Sequence, residues 1–240
     1  MMKALALSAA GGVNLRRRYL IFAVLAAAFL AGLFLWGVTM PEGAYAVNYG
    51  QKNLAPSISH LFGTDYMGRD MFARSVKGMS ISLQIGFGAA FFSSCIALLL
   101  GTLSAAFGGK VDQVVLWLLM ISVMLGGGVA GVSTGIVVTH WPRLTRVIRA
   151  EVMQLRTEPY IMAARHYGHS WLTVARRHFV PHVLPQYIIG LVLLFPHAIM
   201  HEAAVSFLGY GLPLDMPAIG IILSESMRYL ALGMWWLAFF

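Results

Sequence analysis

Charged residues are scarce in this chain of 240 residues, at 11% of the total, whereas a soluble domain usually contains about 25%. Hydrophobic residues make up 59%, and the mean hydropathy is +0.75. Inside a bilayer only helices or closed barrels satisfy every backbone polar group, and the long unbroken apolar runs of this chain exclude a barrel. The composition therefore predicts an all-α polytopic membrane protein.

Three further scarcities narrow the function. The single cysteine, Cys95, cannot form an internal disulfide and is expected to be a small buried hydrophobe. Acidic residues number 9 against 17 basic ones, and in a membrane chain this excess indicates basic cytoplasmic loops rather than a nucleic-acid partner. The phosphate-binding pattern G-x-x-x-x-G-K-[ST] is absent, so ATP hydrolysis is not expected on this chain.

The first apolar run, 19–38, follows three arginines, Arg16 to Arg18. It is long enough to cross a membrane, whereas the apolar part of a signal peptide has about 7–15 residues. The pattern predicts a cytoplasmic segment at 1–18, a first transmembrane helix at 19–38 and a polar external loop at 39–79. A second apolar run covers about 81–107.

The middle of the chain is short for the spans it should contain. Residues 113–141 number 29, whereas two spans need about 40. Seven arginines between Arg143 and Arg177 predict a cytoplasmic loop, which requires an even number of preceding spans. We therefore expect four spans, with residues absent at or near Leu125–Gly126; a re-entrant pair is the alternative.

The last third predicts a fifth span at about 183–208 and a polar loop containing Pro213, Asp215 and Arg228. A sixth span is expected to begin near Tyr229. Only about twelve residues remain before Phe240, which is too few to cross, so the sequence predicts an incomplete span there.

A compact basic segment, 157–185, interrupts the apolar runs. Pro159 suits the first turn of a helix, Gly168 can end that helix, and Ser170 can cap a second one. Pro181 and Pro185 are expected to close the segment before the fifth span. This pattern predicts two short helices joined by a glycine elbow, which serve either as an amphipathic loop at the lipid headgroups or as a docking surface.

The same segment resembles the "EAA" loop of permease subunits of binding-protein-dependent ABC importers. The match lies in Ala163, Ala164, Gly168 and the ending HVLP at 182–185, while Met162 stands where the family usually has Glu. Two further stretches, HLFGTDYMGRDMFARSVKGMSISL at 60–83 and EAAVSFLGYGLP at 202–213, resemble the peptide/nickel subfamily.

The resemblance implies a type I importer permease fold with about six transmembrane helices, a permease core at 80–240 and a coupling loop at 143–182. It implies a homologous permease partner, two ATP-binding subunits that carry ATP and Mg²⁺, and an external solute-binding protein. The residues expected to couple to the ATP-binding subunit are Tyr160, Ala163, Ala164, Arg165, Gly168, His169 and Ser170. Those expected to fix the external loop, or to meet the solute-binding protein, are Asp65, Gly68, Arg69 and Asp70.

The cargo is open between nickel and peptides. His197 and His201 share one helix face in the fifth span, Glu202 is adjacent, and imidazole suits nickel, zinc or copper. The stretches HAIMH at 197–201 and THW at 139–141 are similar to those of nickel permeases, so transient Ni²⁺ is the first expectation and di- or oligopeptides the alternative. His166, His169, His178 and His182 are interpreted as docking or interfacial residues.

Two rivals remain open. The first is a channel or secondary transporter that uses Glu202 and the histidine pair as an ion relay, and the second is a purely structural membrane subunit.

Overall fold

The computed structural model describes residues 2–124, 132–213 and 215–238. The predicted gap near Leu125–Gly126 and the predicted break at Phe240 lie outside these residues. The α-helices within them are α1 (Met2–Thr39), α2 (Met71–Phe107), α3 (Gly109–Met124), α4 (Val132–Arg156), α5 (Pro159–His166), α6 (Trp171–Val174), α7 (Val180–Phe207) and α8 (Ile219–Leu230).

Three stretches of the described chain are long and apolar enough to cross a membrane: Leu15–Thr39, Met71–Phe107 and Trp171–Phe207. The first contains the predicted run 19–38. Helix α3 has 16 residues, and α4 has 25 with arginines in its second half. The described residues contain no β-structure beyond an isolated bridge between Thr64 and Asp70. The chain is thus an all-α polytopic membrane protein, as its composition predicts.

Helix α2 begins well before the apolar run that predicted it. The carboxylate of Asp70 caps the helix by accepting a hydrogen bond from the backbone N–H of Ala73 at 2.9 Å. Such a cap satisfies one of the unpaired amides of the first turn, so the helix starts at Met71 despite the polar residues that follow. The last part of the expected external loop, 71–79, is therefore helical.

Helix α2 is the central element, because α1, α4, α7 and α8 all pack on it. Its buried face consists largely of Gly, Ala and Ser, which let helices approach closely in lipid. At Gly86 the approach leaves no room for a side chain, since a Cβ there would lie 2.3 Å from Cγ1 of Ile199 in α7. With 37 residues, α2 is about 55 Å long.

The two ends of α2 carry separate clusters of apolar side chains. At the Phe107 end, Ala105 and Ala106 pack with residues of α3, α4, α5 and α7, including Ile148, Ile161 and Val183. At the Met71 end, Met71 packs with Ile222 and Leu237. Features attached to these clusters are therefore held at opposite ends of the molecule.

The predicted two-helix segment differs from expectation in its second half. Helix α6 continues through a π-helical turn, Ala175–Phe179, directly into α7, so Pro181 and Pro185 lie inside a continuous helix rather than closing the segment. In the π turn the N–H of Val180 bonds to the carbonyl of Ala175, five residues back. Pro181 follows this wider turn directly, as the second residue of α7.

The region predicted as a polar loop and the start of a sixth span also differs. Helix α8 occupies Ile219–Leu230 and buries Ile221 and Ile222. Near the end of α8, the Tyr229 ring stacks on that of Tyr66 with centroids 4.8 Å apart, and beyond the helix Leu237 is buried against Met71. The described residues after α8 therefore pack onto the Met71 end, because their aromatic and apolar side chains fit that cluster.

Candidate functional site

The first candidate site is the elbow, which we define as residues 159–174. Pro159 occupies the first turn of α5, and Gly168 ends that helix with a φ of +83°, a conformation that favours glycine. The hydroxyl of Ser170 then caps α6 by accepting from the N–H of Thr173 at 3.2 Å. The turn between two short helices was thus predicted from these three residues.

Buried apolar contacts attach the elbow to the rest of the chain, and arginine–aromatic contacts hold its two helices together. The side chain of Ile161 is fully buried in the cluster at the Phe107 end of α2. The guanidinium of Arg165 lies 4.5 Å from the ring centroid of Trp171, and that of Arg156 lies 4.7 Å from it. Arg165 also donates a hydrogen bond to the carbonyl of His169. These contacts hold α5 and α6 in one geometry.

The outer face of the elbow is apolar and uncovered. Tyr167 is 86% exposed, Leu172 is 66% exposed and Met162 is 58% exposed. Tyr160, Ala163 and His169 are also exposed, and Ala164 is half-buried against the cluster beneath. A surface with exposed aromatic and aliphatic groups, held by the contacts described above, is suited to docking on another protein.

The second candidate site lies at the Met71 end and is built on a buried carboxylate. Asp65 is 2% exposed and accepts hydrogen bonds from the backbone N–H groups of Met67 and Arg69 at 2.8 and 2.9 Å. Its other oxygen accepts from Nε of Arg69 at 2.6 Å and from Arg74 at 3.3 Å. Both arginines also contact Glu225 of α8, at 3.1 and 2.5 Å.

We call Asp65, Arg69, Arg74 and Glu225 the Asp65 network. Asp65 and Arg69 were predicted from the sequence, whereas Arg74 and Glu225 were not. The network joins the loop before α2 to α8, and two carboxylates face two guanidinium groups. Because each charge in the network is paired and little exposed, the network is interpreted as a structural contact that holds the loop and the two helices together.

Gly68 and Asp70 shape the same loop. Gly68 has a φ of +76°, and a Cβ on it would lie 1.7 Å from the carbonyl oxygen of Asn48, so no other residue fits there without a backbone shift. Besides capping α2, Asp70 contacts Nδ1 of His60 at 2.7 Å. All four residues predicted to fix this loop thus make contacts within it.

The third candidate site is a cluster of three histidines. His197 and His201 lie one turn apart on α7, and the ring of His140, from α4, lies 5.0 and 4.8 Å from theirs between centroids. One ring nitrogen of each lies within 4.8 Å of those of the other two. His140 is part of the THW motif, but it was not predicted as a site residue, because nothing in the residues around it indicates which helix it meets.

Glu202 does not belong to this cluster, although the sequence grouped it with His197 and His201. It is fully buried, and its two carboxylate oxygens accept hydrogen bonds from the hydroxyls of Ser82 and Ser206, both at 2.8 Å. Adjacent residues on a helix point about 100° apart, which turns Glu202 toward α2. Its contacts connect α2 to the end of α7.

One further ion pair was not predicted. Arg149 of α4 contacts both carboxylate oxygens of Asp112, in the first turn of α3, at 2.6 Å each. The hydrogen bond from Arg149 lowers the pKa of Asp112 below its usual value, and the hydroxyl of Ser104 contributes in the same direction. The pair fastens α3 and α4 together at the Phe107 end of α2.

Comparison with known proteins places the chain in a family. Residues 113–240 match the family described as "Binding-protein-dependent transport system inner membrane component". The chain is 28% identical over 213 residues to the dipeptide transport system permease protein of Bacillus subtilis, a match that covers 83% of this chain and 67% of the relative. It is 30% identical over 197 residues to the oligopeptide transport system permease protein of the same organism, covering 77% and 65%.

The chain thus spans about two-thirds of the length of these relatives. The family match covers more than half of the chain, including α4, the elbow, α7 and α8. The chain belongs to the family of inner-membrane components of binding-protein-dependent transport systems.

Proposed function

We propose that this chain is a membrane permease subunit of an ATP-driven importer of short peptides. It would pair with a homologous permease to enclose the pathway, while two separate subunits bind ATP and Mg²⁺ and an external solute-binding protein delivers the cargo. The observation that carries the proposal is the elbow, which exposes apolar side chains and is fixed to the chain's core through Ile161.

Peptides replace nickel as the first expectation for the cargo. The two relatives described above are named for dipeptide and oligopeptide transport, and neither name mentions nickel. The stretches similar to nickel permeases, HAIMH and THW, are short. They contain the three histidines of the cluster, His197 and His201 on α7 and His140 on α4. They bear on a metal site rather than on the principal substrate.

The orientation of the chain follows from the distribution of its arginines. The elbow and the second half of α4 contain most of the seven arginines between Arg143 and Arg177, and such loops favour the cytoplasm. The Asp65 network lies at the other end of α2, about 55 Å away. We therefore propose that the elbow and the N-terminus are cytoplasmic and that the Asp65 network is external.

The test uses the whole transporter, purified through this chain and reconstituted in liposomes. We expect uptake of a labelled dipeptide that requires ATP and the solute-binding protein. Tyr167→Asp puts a charge on the most exposed aromatic of the elbow, so we expect co-purification of the ATP-binding subunits and uptake both to fall by about tenfold or more, as for loss of a strong contact at an interface.

Tyr49→Asp is the matched control for co-purification, because Tyr49 is also exposed, at 66%, but lies on the loop before α2. It should leave the ATP-binding subunits attached. If Tyr167→Asp retains both these subunits and full uptake, the elbow is not the docking surface. If uptake proceeds without ATP, the channel or secondary-transporter rival is correct.

A further inference from the structure

We propose that His140, His197 and His201 form a binding site for one divalent transition-metal ion of the nickel, copper and zinc class. The site lies between α4 and α7. Metal binding there would be a property additional to the proposed import of peptides. The site differs from the set predicted from the sequence, because His140 joins the two histidines of α7 and Glu202 is excluded.

The geometry of the three rings fits coordination after a small movement. One nitrogen of each imidazole lies within 4.8 Å of the others. In a tetrahedral site with metal–nitrogen bonds of 2.0–2.1 Å, the ligand nitrogens are about 3.4 Å apart. Side-chain rotations that close the set by roughly an ångström would bring the three nitrogens to this spacing.

The site lies at the depth of the middle of α2. Ala198, which lies between the two histidines of α7, packs with Val137 of α4 and with Ala89, the middle residue of α2. Ionisable groups at such a depth are expensive to bury and usually face a pathway or the interior of a helix bundle. Here His140 and His197 are half-buried and His201 is exposed, so the cluster is open on one side.

The types of ligand atom around the cluster determine which ions it can bind. Arg143 lines, together with His197, a cleft of about 190 Å³ between α4 and α7, and no carboxylate lines that cleft. The nearest acid in sequence, Glu202, is held by Ser82 and Ser206 instead. A hard cation such as Mg²⁺ or Ca²⁺ requires oxygen ligands, which the three imidazoles do not supply. Imidazole nitrogens instead favour nickel, copper or zinc, so these are the ions that the site is expected to bind.

Three protein ligands leave a coordination position open. A structural zinc site is usually closed by four protein ligands, whereas a site with three keeps a position for water or for a bound molecule. In this chain that position would be filled from the open side of the cluster. The site would then hold its ion reversibly, as a pathway requires.

The test measures metal retention by the assembled transporter, purified through a tag without histidine. The complex is equilibrated with Ni²⁺ or Zn²⁺ in the presence of excess Mg²⁺ and dialysed, and the metal is counted by mass spectrometry. We expect one ion per copy of this chain, and a fall in affinity of about tenfold or more for each of His140→Gln, His197→Gln and His201→Gln. X-ray absorption of the nickel-loaded complex should show imidazole ligands.

Two controls separate coordination from ring packing and from general affinity for histidines. His182→Gln removes a partly exposed imidazole outside the cluster, paired with Glu151 at 3.4 Å, and should leave the count unchanged. His201→Phe keeps an aromatic ring in the packed trio but removes its nitrogens, so it should behave as His201→Gln does.

Two results would overturn the metal site: wild-type retention no higher than that of the triple glutamine variant, or full retention by His201→Phe. Neither result touches peptide import, which is measured separately as ATP-dependent dipeptide uptake by the complex. Loss of that uptake in the wild type would in turn leave the metal count intact.

Discussion

The Asp65 network and the histidine cluster are two ways of placing polar side chains along the same helix, α2. At the Met71 end, two carboxylates face two guanidinium groups, and Asp65 also accepts two backbone N–H groups. At mid-depth, three imidazoles from α4 and α7 face one another. The first arrangement pairs opposite charges, whereas the second brings together three imidazoles.

The difference indicates what each site is for. A paired and hydrogen-bonded charge gains nothing from a ligand, so the Asp65 network holds a loop against α8. Three imidazole nitrogens within 4.8 Å of one another are the kind of ligand set that nickel, copper and zinc prefer, which is the basis of the metal site proposed above. Position along the sequence does not reveal this distinction, since both regions read as polar residues beside apolar runs.

The largest expected effect comes from breaking the Asp65 network. Asp65→Asn keeps the size of the side chain but leaves Arg69 and Arg74 with Glu225 as their remaining acid partner. Removal of one member of a buried charge set costs about 3–5 kcal/mol, so we expect a large loss of folded protein. The measurement is the yield from membranes and the melting temperature in detergent.

Glu42→Gln provides the control, because Glu42 is exposed and acidic on the same loop. It should match the wild type in both measurements. An Asp65→Asn protein with wild-type melting would mean that the network contributes nothing to holding α8, and the contrast with the histidine cluster would fail.

A smaller effect is expected for Glu202→Gln, which tests whether this acid belongs with the serines or with the histidines. Ser82 and Ser206 each donate a hydroxyl to one carboxylate oxygen, and an amide can accept from only one of them. One hydroxyl loses its acceptor, so we expect a loss of about 1 kcal/mol, measured as a lower melting temperature.

Metal retention should not change in the Glu202→Gln complex, because the cluster is formed by other residues. His201→Gln, one residue away, serves as the matched comparison and should lose its metal. Equal loss of metal in both variants would return Glu202 to the histidine cluster.

The smallest expected effect concerns the pair of Asp112 and Arg149, which lies nearer the surface, with each side chain 22% exposed. The pKa of Asp112 is lower in the folded chain than in the unfolded one, because Arg149 donates hydrogen bonds to its carboxylate. The pair therefore stabilises the fold above the unfolded pKa, and this contribution is lost as pH falls through the lower, folded value. For Asp112→Asn we expect a loss of about 1 kcal/mol or less at pH 7.

That loss should shrink on acidification, until variant and wild type melt together at a pH below the folded pKa of Asp112. Melting curves measured across the acidic range provide the check. A difference that stays constant with pH would show that the variant acts through packing rather than through charge.

Short-range features could be predicted from the sequence, and long-range pairings could not. Pro159, Gly168 and Ser170 act within a few residues, so they fixed the first half of the elbow. The prediction that Pro181 closes the segment was wrong, because the helix continues through a π turn just before this proline. His140 and Glu225 meet partners more than 50 residues away, and nothing in the local pattern of either residue names the partner.

The continuous helix from Trp171 to Phe207 has a mechanical consequence. Counted at 1.5 Å per residue, His201 lies about 45 Å along this rod from the tip of the elbow. A tilt of about 5° at one end would swing the other by about 4 Å, a distance similar to the present spacing of the imidazole nitrogens. Since His140 stands on a different helix, a movement of the elbow, if it docks as proposed, would shift His197 and His201 relative to His140 and so open the proposed metal site.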